Sequence, residues 1–196
     1  MEDNKVKNIN YIYSLNFRIA KEIIGTSNEI FKQIYNNGNV LNTLIISPPG
    51  AGKTTILRDL IRNLSQYKTV GVVDERGEIS AMYKNEPQNN LGMQVDILNN
   101  IPKSLGMKML IRSMAPEIVC ADEIGTEDDI KAIKYAVTSG VKGIFTAHGN
   151  NLEYIKKNPI LKELLKENII QLIIILNKEN RKDVKYINNI DKNIDF

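Results

Sequence analysis

Apolar residues follow two rhythms along this chain. Short unbroken runs occur at Thr43–Ile46, Thr69–Val73, Glu117–Ala121 and Gly143–Ala147. Each has strand length and ends in turn-forming or charged residues, which predicts strands buried on both faces. Between them lie stretches with helical spacing, at 53–65, 102–114 and 127–139. Pro102 suits a first helical turn, and Gly140 suits a helix end. Ser27 is placed to cap a helix over 28–36, with Ile30, Phe31 and Ile34 on one face and Gly38 beyond its end. A helical pair near 151–157 and 159–167 leads to a strand at 169–176. A last short strand, Val184–Ile187, is expected to pair with it antiparallel. Tyr11–Ile19 alternates in part and predicts a strand. From Asp74 to Ile101 the chain is rich in Asn, Gly and Pro and reads as one long irregular stretch.

Strands that alternate with helices predict an α/β fold, a mostly parallel sheet flanked by helices. In such sheets ligands bind beyond the C-terminal ends of the strands, and the chemically interesting residues here fall at those ends. The length of 196 residues suits one domain with an extension: a core over 43–196 and an N-terminal segment over 1–42. A net charge of +3 is too mild to require a nucleic-acid partner. Cys120 is the single cysteine, so an intramolecular disulfide is excluded. The N-terminus lacks an apolar signal core, and the most apolar run, Ile169–Leu176, is too short to span a bilayer. A cytoplasmic protein is expected, with any membrane association made through a partner.

The sharpest chemistry is Ser47-Pro48-Pro49-Gly50-Ala51-Gly52-Lys53-Thr54-Thr55, between a strand and a helix. That is the architecture of a phosphate-binding loop. Pro49–Thr55 would wrap the phosphates, with the backbone N–H groups from Gly50 onward facing them, helped by the helix N-terminus. Lys53 would reach the β- and γ-phosphates of ATP, and the Thr54 hydroxyl would bind Mg²⁺. Ser47 stands where the common pattern has its first glycine. At the end of Ile118-Val-Cys-Ala121, Asp122 is positioned to hold Mg²⁺, commonly through a water, and Glu123 to orient the attacking water. A second strand ending in acids, Val70-Gly-Val-Val-Asp74-Glu75-Arg76, makes Glu75 the rival for that role. Thr146 and His148 point to one side of the strand that ends there, suited to sensing the γ-phosphate or the lytic water. Arg76 and Arg112 are candidate arginine fingers, in their own subunit or a neighbour's. Arg58 and Arg62, four apart on the P-loop helix, read as a solvated face.

Together these motifs resemble the ring-forming ATPases of type II secretion and type IV pili, which carry a P-loop, an acidic box, a Walker B strand and a histidine box in this order. The resemblance covers residues 43 to about 150 and implies a RecA/AAA-like P-loop NTPase. A narrower resemblance rests on Val70–Ile79, Gly106–Pro116, Asp122–Gly125, Thr146–Gly149 and Asn16–Ala20. These stretches are similar to the stage III sporulation protein AA family. That resemblance implies a motor that uses ATP and Mg²⁺ to energise a channel between mother cell and forespore. It implies a homo-oligomer, in the form of a hexameric ring, in the mother-cell cytoplasm. It also implies docking on an integral-membrane platform protein. Family members carry a longer N-terminal region, so residues 1–42 read as its remnant.

Three other classes compete with the motor. A small-molecule kinase needs an acceptor site and lid arginines, and 77–101 carries no arginine. A nucleic-acid-dependent ATPase is disfavoured by the mild charge and few aromatics. A nucleotide-ordered scaffold with little turnover is the third reading, and intact Lys53, Thr54, Asp122 and Glu123 weigh against it.

Overall fold

A computed structural model describes residues 13–14, 22–177 and 185–188. The elements run α1 (Asn28–Ile34), β1 (Tyr35–Asn36), β2 (Asn39–Val40), β3 (Thr43–Ser47), α2 (Lys53–Leu64), β4 (Val70–Asp74), β5 (Val95–Asn99), α3 (Lys103–Ser113), β6 (Ile118–Ala121), α4 (Glu127–Thr138), β7 (Lys142–His148), α5 (Leu152–Lys157), α6 (Pro159–Lys166), β8 (Leu172–Ile175) and β9 (Lys185–Asn188). Seven strands form one sheet in the order β5-β4-β6-β7-β3-β8-β9. All neighbours are parallel except β8 and β9, which are antiparallel as expected.

The unbroken apolar strands are buried on both sides because each feeds two cores in alternation. Leu44 and Ile46 of β3 join a cluster with α3, α4, α5 and α6, while Ile45 packs against α1 and α2. Cys120 and Ile144 lie on the α2 side, Ala121 and Phe145 on the other. At the N-terminal edge, buried Asn42 ties three strands. Its Oδ1 accepts from Gly143 N–H at 2.9 Å, and its carbonyl accepts from Gln171 and Leu172 N–H. Gly106 lets α3 lie close on β4: a Cβ there would stand 2.5 Å from Val73 Cγ1.

Three expectations change. The helix over 28–36 stops at Ile34, because Asn37 and Gly38 both take positive φ and turn the chain into the β1–β2 hairpin. Gly38 is thus a hairpin residue rather than a helix end. Ser27 precedes α1, but its side chain does not cap it. Its Oγ and N–H both donate to Asp59, at 2.7 and 2.8 Å. The stretch from Asp74 to Ile101 contains β5, an edge strand parallel to β4. Its partial exposure explains the weak apolar signal. The strand expected at Tyr11–Ile19 falls almost wholly outside the described residues. Among the described residues, no helix is long and apolar enough to cross a membrane.

Candidate active site

The P-loop connects β3 to α2 in the predicted place. Gly50 and Gly52 have φ of +77° and +91°, a backbone region that glycine enters freely. Ser47 is not among the positive-φ residues, so the missing first glycine is not required by the backbone. Its buried Oγ donates to the Pro48 carbonyl at 3.0 Å. Gly52 is the N-cap of α2, which leaves the first N–H groups of that helix without a side-chain cap. Lys53 is 7% exposed and points into the site.

Strand order decides what Lys53 and Thr54 meet. β7 lies between β3 and β6, and the register sets Ala121 beside Phe145 and Ser47 beside His148. Asp122 therefore emerges one strand away from the P-loop. Thr54 Oγ1 donates to Asp122 Oδ2 at 2.7 Å. Thr146, between them on β7, is fully buried. Its hydroxyl donates to Asp122 Oδ1 and accepts the Glu123 N–H at 2.8 Å.

Glu123 leaves the strand with φ of +56°, uncommon for a side chain of its kind. Its carboxylate faces Lys53, Arg76 and His148. Oε1 accepts from Lys53 Nζ at 2.9 Å and lies 2.9 Å from His148 Nε2. Oε2 accepts from Arg76 at 2.5 Å. Burial pushes its pKa up, but the Lys53 hydrogen bond and the Lys53, His148 and Arg76 charges outweigh that and hold it below the usual carboxylate range. His148 and Arg76 remain open to solvent, at 47% and 64% side-chain exposure.

The second acidic pair divides its work. Asp74 is buried and accepts from Ile79 N–H, Ser80 N–H and Ser80 Oγ, so it closes the turn after β4. Glu75 accepts from Lys103 Nζ at the start of α3. Lys103 was not read from the sequence, because a lysine at a helix start carries no motif. It lines a small pocket with Glu75, Arg76, Asp122 and Glu123. Arg112 is not brought into this group. It ends α3, about 14 Å along the helix from Lys103, with its guanidinium 5.9 Å from the Tyr135 ring centre.

The solvated face expected for Arg58 and Arg62 does not form. Arg62 donates twice to Asp59, at 2.7 and 3.1 Å, and is mostly covered. Arg58 donates to the Glu78 carbonyl at 3.1 Å and straps the turn after β4 to α2.

The donor set fits Mg²⁺. Thr54 and Asp122 offer adjacent hard oxygens, and Mg²⁺ is typically held by one or two protein groups plus phosphates and water. No cluster of three or more His, Cys, Asp or Glu that could hold a metal occurs among the described residues.

The fold matches that of solved ATPases. The pilus retraction motor PilT with bound ADP superposes with a TM-score of 0.57 at 15% identity, covering 83% of this chain and 49% of that one. The ATPase DotB of Legionella pneumophila gives 0.54 at 16% identity, covering 76% and 43%. Stage III sporulation protein AA of Bacillus subtilis is 42% identical over 173 residues, 85% of this chain and 56% of that protein. The protein SEEDLING PLASTID DEVELOPMENT 1 of Arabidopsis thaliana is 32% identical over 160 residues, 79% of this chain and 22% of that one. The chain thus spans little more than half of the first relative and under a quarter of the second. The model of the family described as sporulation stage III, protein AA matches residues 1–192, and the chain belongs to that family.

Proposed function

We propose that this chain hydrolyses ATP and converts the hydrolysis into conformational work on a secretion-like channel during endospore formation. One observation carries the reading. Lys53 and Thr54 of the P-loop meet Glu123 and Asp122 of a non-adjacent strand, within hydrogen-bonding distance of each other. That supplies a phosphate cation, a metal pair and a carboxylate for water in one place.

In this reading Pro49–Thr55 take up the triphosphate of ATP. Thr54 and Asp122 hold Mg²⁺, which when bound neutralises charge on the phosphates. Lys53 turns from Glu123 to the phosphate oxygens. Glu123, relieved of its largest favourable contact, becomes more basic and orients water for in-line attack. His148, next to Glu123, reads the loss of the γ-phosphate. Arg76 stabilises charge on the transferring group. Arg112, about 14 Å along α3 from Lys103 at the site, is assigned to the γ-phosphate of a neighbouring subunit. Glu75, neutralised by Lys103, is the second choice for base.

The sporulation setting rests on the Bacillus subtilis relative. The plastid-named relative supports a core chemistry used outside sporulation too. A homo-oligomeric ring, mother-cell location and docking on a membrane platform protein complete the proposal.

The test is steady-state ATP hydrolysis against protein concentration, with Lys53→Ala as the blank. Specific activity that rises with concentration supports sites completed between subunits. Activity no higher than the Lys53→Ala blank at every concentration overturns the ATPase reading and leaves a nucleotide-ordered scaffold.

A further inference from the structure

The Thr146 hydroxyl has one proton, and that proton is committed. It goes to Asp122 Oδ1, while the Glu123 N–H donates to the Thr146 hydroxyl oxygen itself. Thr146 is fully buried on β7, the strand between the P-loop strand and the Asp122 strand. A hydroxyl offers one donor and two acceptor sites. What remains on Thr146 is a lone pair, which repels a phosphate oxygen rather than binding it.

We infer that Thr146 is a positioning residue and not a γ-phosphate sensor. It aims two groups at once. Its proton fixes Asp122 Oδ1, so that Oδ2 stays turned to Thr54. Its lone pair fixes the Glu123 N–H. The next N–H, of Ile124, donates to the Thr146 carbonyl at 2.8 Å. These two backbone contacts hold the turn in which Glu123 takes φ of +56°. A residue in that region persists only where its surroundings over-determine it. Without the hydroxyl the chain would relax there, and the carboxylate would swing away from Lys53, Arg76 and His148. Thr146 thus couples the metal carboxylate to the water-orienting one. The inference rests on the Mg²⁺ and ATP reading of this site, and its test separates the two.

Thr146→Val keeps the shape and removes both hydrogen bonds; Thr146→Ser keeps both. The first measurement is ADP binding against Mg²⁺ concentration. In Thr146→Val the Mg²⁺ needed for half-maximal tight binding should rise about tenfold, as for other groups that orient a metal ligand. Mg²⁺-free ADP affinity should stay within about twofold, since the P-loop is untouched. Thr146→Ser should restore the wild-type Mg²⁺ dependence. A wild-type Mg²⁺ dependence in Thr146→Val overturns the inference. The second measurement uses the unaltered chain and is independent of whether the valine variant folds. Amide exchange at Glu123 should be equally slow with Mg²⁺·ADP and with a non-hydrolysable Mg²⁺·ATP analogue. A change of more than about tenfold between them, roughly 1.4 kcal/mol in opening free energy, would mean that Thr146 responds to the γ-phosphate. If the wild-type chain binds ADP with Mg²⁺ yet hydrolyses nothing, the ATPase reading fails while both measurements still decide this one.

Discussion

Lys53 and Glu123, 70 residues apart, share a 2.9 Å hydrogen bond at the mouth of the P-loop. The carboxylate thus stands in for the phosphate anion that Lys53 would otherwise hold. Two consequences follow for nucleotide binding. The lysine is held in place by the carboxylate, and in the proposed cycle an incoming phosphate displaces Glu123.

Lys53→Ala removes the buried cation and leaves Glu123 with Arg76 and His148. Loss of a buried, hydrogen-bonded charge partner typically costs 2–5 kcal/mol, so nucleotide affinity should fall by about 100-fold or more. Titration of a fluorescent ADP analogue checks this. Affinity within a few-fold of wild type would remove Lys53 from the phosphate site.

Glu123→Gln keeps the size of the side chain and one acceptor oxygen, but loses the charge and the second acceptor. Nucleotide should still bind. The chemical step should slow by about 100-fold or more, the usual loss for a general base. Single-turnover hydrolysis reads that step directly. Unchanged turnover would transfer the role to Glu75.

Asp59 gives a stability prediction with a defined sign. Burial pushes its pKa up, but hydrogen bonds from Ser27 and Arg62 outweigh it and hold the pKa below its ordinary value of 3.8. A depressed folded-state value means stability that is complete above the ordinary value and lost as pH falls through the folded one. Acid should therefore weaken the wild type below about pH 4. Asp59→Asn should be less stable at neutral pH by about 3 kcal/mol, because Arg62 loses a charged partner. It should also show a flatter decline in acid. Urea unfolding across pH 2–7 distinguishes the two curves. Parallel curves would show that Asp59 carries no such linkage.

Gly106→Ala sets helix propensity against packing. In an exposed helix the change gains about 1 kcal/mol. Here the new methyl would meet Val73 at 2.5 Å and Ile101 at 3.1 Å. Overpacking of this kind costs about 1–3 kcal/mol, so a net loss is expected. A raised urea midpoint would mean that α3 shifts off β4 without penalty.

The sequence was most legible where local chemistry and burial agree. Apolar runs such as Ile118–Ala121 are buried on both faces, so their period and position need no tertiary information. The 47–55 loop and the Asp122–Glu123 pair, which the fold brings together, were readable as a motif because nucleotide chemistry would restrict both residue type and spacing. Less was visible where one signal serves two structures. Gly38 follows a helical stretch, yet with Asn37 it makes a hairpin. β5 lies at the sheet edge, where Asp96 is free to be polar and the apolar alternation is diluted. Lys103 could not be assigned from spacing, because its partner, Glu75, is identified only by where α3 docks, whereas Arg62 and Asp59, three apart on α2, are a pair that helical spacing alone allows. The orientation of Thr146 was readable from strand period, but the destination of its proton required the neighbouring strand.

The cluster around Asp59 has a mechanical meaning. Ser27 is tied to the P-loop helix through Asp59, and Asn63 returns a bond to Ser27 Oγ at 3.0 Å. Arg62 locks the same carboxylate from within α2. Six residues before Asp59, that helix begins at Lys53. A pull on the chain ahead of Ser27 is therefore delivered to the rod that carries the phosphate lysine, and a shift of that rod is delivered back. Ser27 is thus geared to the helix that starts at Lys53 by hydrogen bonds across the joint, and the Asp59–Arg62 ion pair within that helix holds the gear tooth in place.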